Sequence, residues 1–77
     1  MTKITIMLDS IEKVKTFVNI IIKFDCDFDI ISSRYTIDAK SIMGIFSLDL
    51  SKPLEMVIHK DGDVSDILAE LKQYIVE

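Results

Sequence analysis

The residues of this chain that come nearest to a chemical site are Lys40-Ser41-Ile42-Met43-Gly44. Ser41 follows a strand-like run and precedes one short turn of apolar residues, so it reads as the N-cap of a brief helix, worth about 1 kcal/mol over Ala. The first N–H groups of such a helix lack an internal partner and point at whatever sits on the cap, a ready setting for a phosphate. Beyond the cap, Ile45 and Leu48 can share one buried face. Ile42, Met43 and Phe46 lie largely around the other side and cannot all be core. Gly44 costs about 1 kcal/mol against Ala inside a helix, which implies close approach by another surface. Two readings fit this spacing: a protein-docking patch beside a phosphorylatable hydroxyl, or a short, almost wholly buried helix with an ordinary serine cap.

The other candidate groups are poorer in chemistry. His59, the only histidine, alternates onto a strand face shared by Asp27, Asp29, Thr36 and Glu55, and the sequence offers it no base-orienting partner. Asp25, Asp27 and Asp29 begin like a calcium loop, but the glycine due at the sixth position is Ile30 and the twelfth residue is Thr36, so no metal is expected. Cys26 has no basic neighbour in sequence and falls on the side of Phe28, which predicts an inert core thiol. With no Gly-rich phosphate loop, zinc spacing or serine triad, neither an enzyme nor a cofactor is expected.

The elements that must position these groups follow from periodicity. Ile4, Ile6 and Leu8 alternate with Thr5 and Met7, predicting a first strand that ends at Asp9. Asp9 and Glu12 have capping-box spacing. Ile11, Val14, Phe17, Val18 and Ile21 then give an amphipathic helix to about Phe24. Phe28 and Ile30, then Tyr35 and Ile37, predict a hairpin around the polar break Ser32-Ser33. The short helix at Ser41 is stopped by Lys52-Pro53, and Leu54, Met56 and Ile58 mark a fourth strand. After Asp61-Gly62, Asp63 can cap a last helix carrying Val64, Ile67, Leu68, Leu71 and Ile75. The order is βαββαβα, an α+β fold with helices on one side of an antiparallel sheet.

The 77 residues suit one domain, and 49% of them are apolar. A net charge of −4 without a basic cluster excludes nucleic acid as the expected partner. The longest apolar run, from Val18 to Ile22, is broken by Asn19 and is far below the roughly 20 residues of a membrane span. The start lacks a signal-peptide pattern and Cys26 is the one cysteine, so a soluble protein of the cytoplasm is expected.

The stretch Lys40-Ser41-Ile42-Met43-Gly44-Ile45, with Ser47-Leu48 behind it, resembles the regulatory-serine segment of the HPr family, the small phosphocarriers of the bacterial sugar phosphotransferase system. From Lys23 to Leu50 the chain follows the spacing of a Gram-positive HPr without a gap. The resemblance implies a single HPr-like open-faced β-sandwich over residues 1–77, with four antiparallel strands and three helices on one face. That agrees with the order read from periodicity.

HPr proteins carry phosphate on a histidine at the start of the first helix, in a pattern like G-x-H-x-R-P-A. Counting back from Phe17-Val18 puts Ser10 at the histidine position, Glu12 at the arginine and Lys13 at the proline. The chain thus resembles a degenerate member without the active-site histidine, and Asp9 and Glu12 would repel an incoming phosphoryl group. Whether Ser10 receives phosphate instead is left open. An HPr-like paralogue lacking the histidine is known that is phosphorylated on the regulatory serine by a dedicated kinase and then binds a regulator of carbon catabolite repression. Carried over, Ser41 accepts the phosphate, Lys40 and the amides of Met43 and Gly44 stabilise it, and Ile42, Met43 and Phe46 form the contact patch. The partners so implied are HPr kinase and a catabolite regulator. An orphan interaction module, pairing with itself or another protein, is the alternative; a working phosphocarrier ranks third.

Overall fold

Three of the four strands alternate apolar and polar residues, and the structure places every apolar set on the same side. A computed structural model describes residues 1–32 and 35–76. Its elements are β1 (Thr2–Ile6), α1 (Ile11–Ile21), β2 (Asp27–Ser32), β3 (Tyr35–Asp38), α2 (Ile42–Phe46), β4 (Leu54–His59) and α3 (Ser65–Leu71), followed by a 3-10 turn, Lys72–Tyr74. The four strands form one antiparallel sheet in the order β1-β4-β2-β3. Central β4 pairs Ile58 with Thr2 on one side and with Phe28 on the other. The turn expected at Ser32-Ser33 falls partly outside the described residues.

Ile6, Phe28, Ile30, Met56 and Ile58 project from the sheet against Val14, Phe17 and Ile21 of α1, Ile45 of α2 and Ile67 and Leu71 of α3, all fully buried. Burying a side chain of this size is worth about 1.5–3 kcal/mol, which makes this one layer the main source of stability. The opposite sheet face carries Glu55, Val57 and His59 of β4 beside Asp27 and Asp29 of β2. Val57 is nonetheless buried, between its register partners Lys3 and Asp29.

Several local expectations need correction. β1 stops at Ile6, and Leu8 is buried beyond its end. Ser10, not Asp9, caps α1, accepting from the Lys13 N–H at 3.1 Å; a hydroxyl in the right backbone position displaces the expected capping box. Asp9 instead pairs with the Lys13 ammonium at 2.8 Å, and that hydrogen bond and charge hold its carboxyl below the usual range. Ile11, expected in the buried stripe, is exposed, and α1 ends at Ile21. α2 is closed well before Lys52-Pro53, by the Ser47 hydroxyl donating to the Gly44 carbonyl at 2.6 Å. Val64 takes the cap position of α3, while Asp63 accepts from the Ser65 N–H at 2.8 Å. Ile75 lies past the helix and bridges Ile6, where Met7 N–H donates to the Tyr74 carbonyl and Val76 N–H to the Thr5 carbonyl.

Tyr74 is buried edge-on to Phe17, with ring centroids 5.7 Å apart. Burial pushes its phenol above the ordinary 10.0, partly offset by a hydrogen bond with Thr16. The unfolded chain therefore releases this proton at lower pH than the folded one. The associated stability is intact below the unfolded value and declines as pH rises through the folded one. Urea titrations above pH 10 are expected to show a fall in stability that is flatter in Tyr74→Phe; identical slopes would refute the assignment.

Candidate functional site

The site begins with the way β3 hands the chain to α2. Ala39 is buried and its N–H donates to the Phe28 carbonyl at 2.8 Å, so the turn is fastened to the sheet. Asp38 accepts from the Lys40 N–H at 2.9 Å, and its carbonyl accepts from the Ser41 N–H at 3.0 Å. These bonds present Ser41 at the start of α2, exposed, with its Oγ accepting from the Gly44 N–H at 3.2 Å. The expected cap is formed.

Gly44 has an internal reason to be glycine. A Cβ there would lie 2.6 Å from Cγ2 of Ile37 in β3 and 3.2 Å from the Ser41 Oγ. The close approach expected of an outside surface is therefore supplied by the sheet itself. Around α2 the apolar residues divide: Ile45 is buried, Ile42 and Leu48 are half-buried against the core, Met43 is 75% exposed and Phe46 36% exposed. Of the expected contact residues, Met43 stands free, Phe46 is partly exposed and Ile42 is partly used by the fold.

Lys40 points elsewhere. Its Nζ donates to the Phe24 carbonyl at 2.8 Å and lies 5.6 Å from the centroid of the Phe28 ring. The half-buried ammonium thus joins the approach to α2 to the turn after α1. Nothing between Lys40 and Ser41 in sequence announces this long contact; the only signal is the bulk of Phe24 and Phe28, which mark where a lysine stem can pack.

At the start of α1, Ser10, Glu12 and Lys13 are all exposed. Ser10 Oγ is occupied as the cap acceptor, and the Lys13 ammonium is occupied by Asp9. His59 lies on the sheet face away from the helices, with Nε2 2.7 Å from Oδ2 of Asp29. Sequence reasoning placed both residues on one face but missed the pairing, because register between β2 and β4 decides it: His59 opposes Asp27, and Asp29 is the diagonal neighbour. Asp38 opposes Asp29 from β3. Cys26 is half-buried and lines an open cleft with Lys23, Phe24, Asp25, Lys60 and Ile67. Among the described residues no three His, Cys, Asp or Glu side chains are placed to hold a metal ion, and no helix is long and apolar enough to cross a membrane.

A four-stranded antiparallel sheet with three helices on one face defines the open-faced sandwich class. The chain matches the family model described as "PTS HPr component phosphorylation site" over residues 12–77. It therefore belongs to the HPr family. Its fold is similar to that in a crystal structure of HPr-C-His from Thermoanaerobacter tengcongensis, with a TM-score of 0.76 and 24% identity over 95% of this chain and 89% of that one. A comparison with curated proteins gave no significant match.

Proposed function

We propose that this HPr-family protein is a regulatory docking protein of the phosphotransferase system rather than a phosphohistidine carrier. The observation that carries the reading is the exposed Ser41 at the start of α2 beside the exposed Met43 and the partly exposed Phe46; the resemblance, which sets Ser10 at the family's histidine position, supports it. In this reading a kinase of the HPr-kinase type, acting in the cytoplasm, phosphorylates Ser41. The modified surface then docks on a regulator of carbon catabolite repression. A phosphoserine adds about −1.5 to −2 charges, and the Met43 and Gly44 amides at the start of α2 are its nearest donors. Lys40 joins them only by leaving the Phe24 carbonyl. Ile42, Met43 and Phe46 supply the apolar contact, mostly through the latter two.

The test is intact-mass analysis after incubation with ATP and HPr kinase. One added phosphate, lost in Ser41→Ala, is the expected result; no phosphate, or one that persists in Ser41→Ala, defeats the reading. Exposure of Met43 and Phe46 also favours a second reading, an interaction module that pairs with itself or another protein without modification. Dimerisation abolished by Phe46→Asp, with no phosphate on Ser41, would select it.

A further inference from the structure

We infer that Lys40 couples the Ser41 site to the turn after α1, because one ammonium serves two competing acceptors. The inference rests on reading Ser41 as a phosphate acceptor and concerns what the phosphate does inside the chain. In the unmodified protein the Lys40 Nζ is held by the Phe24 carbonyl at 2.8 Å and packs over the Phe28 ring. Lys40 and Ser41 are adjacent, so a phosphate on Ser41 comes within the sweep of the same side chain. A phosphate dianion attracts the ammonium by its full charge, whereas the Phe24 carbonyl offers only a dipole. Phosphorylation therefore draws Lys40 away from Phe24.

The turn that loses this bond packs Phe24 and Cys26 against the core but has few other polar ties. Lys23 N–H and Phe24 N–H bond back to the carbonyls of Ile20 and Ile21 at 3.3 and 3.1 Å, and the Lys23 ammonium meets Glu70 only at 3.5 Å between exposed groups. Phe24 stacks edge-on with Phe28 at 6.5 Å. Release of Lys40 loosens residues 23–26, which form one wall of the cleft containing Cys26. The modification thus reaches, through one side chain, a surface outside the docking patch.

Cys26, the one cysteine of the chain, reports on this turn. The experiment compares its rate of reaction with an aryl disulfide in the unmodified chain and in a chain built by peptide ligation with phosphoserine at 41. The rate is expected to rise roughly fivefold, the factor equivalent to about 1 kcal/mol. In Lys40→Met the unmodified chain should already react at the raised rate, and phosphoserine should add nothing. An unchanged rate in the phosphoserine chain, or an equal rise in Lys40→Met on adding phosphate, overturns the coupling. Should Lys40→Met fail to fold, the phosphoserine chain without substitution decides alone. Because the phosphate is installed chemically, a kinase that ignores Ser41 refutes the proposed function and leaves this result standing.

Discussion

Incubated with phosphoenolpyruvate and enzyme I, the chain is expected to gain no phosphate, an all-or-none difference from a working carrier. A carrier needs an unprotonated ring nitrogen facing cations and free amides. The start of α1 has a serine whose oxygen is occupied by the Lys13 N–H. The bond to Lys13 holds the Asp9 carboxyl below its ordinary value, and Glu12 sits in the same first turn. Asp9 is paired with Lys13, which leaves the Glu12 carboxylate as the charge of this first turn that works against a phosphoryl donor. The one imidazole is on the far face of the sheet, bonded to Asp29 and neighboured by Asp27. Intact mass before and after mild acid is the measurement; an acid-labile phosphate in wild type that disappears in His59→Ala would show that the chain uses a different face for transfer.

Replacing Gly44 by Ala is expected to destabilise the protein by about 1–2 kcal/mol, although the same change in an exposed helix stabilises by about 1 kcal/mol. The sign is set by the 2.6 Å approach to Cγ2 of Ile37. That methyl is attached to the β-carbon of a strand residue and cannot swing aside like the end of a long side chain, and overpacking of this kind costs about 1–3 kcal/mol. Ile37→Ala removes the methyl, so the double variant should lose clearly less than the two single losses added together. Urea midpoints at unchanged slope measure all three variants. A Gly44→Ala protein as stable as the parent would mean that α2 can lift off β3 at no cost, and Gly44 would then have no structural reason to be glycine.

The elements were legible in the sequence wherever one face is buried, because a period of two or of three to four then fixes which residues face inward. β4 and the α1 stripe from Val14 on follow this rule, and the cap of α2 was legible separately from its serine. The failures share a cause. Ser10 and Asp9 are both good caps, and only the backbone geometry at the chain's entry to α1 selects between them. Ile11 continues a helical stripe whose burial begins only at Val14, and it is left exposed at the helix start. The choice between a docking patch and a buried helix at α2 resolved into neither alone: Ile42 and Ile45 turn inward while Met43 and Phe46 stay out. The Lys40–Phe24 and His59–Asp29 contacts depend on pairings distant in sequence, which local patterns do not encode.

The position of β4 at the centre of the sheet has a consequence for how the protein is made. β1 leaves the ribosome first, yet Thr2 has its partner in Ile58, and β2 likewise pairs with β4. At the usual ~5–20 residues per second, β1 waits several seconds with its backbone unpaired. During that interval α1 and the β2–β3 hairpin can form from neighbours alone, but neither offers β1 a place. Assembly of the sheet is thus non-local for both β1 and β2 and waits for β4, the kind of long-range pairing that makes folding slow.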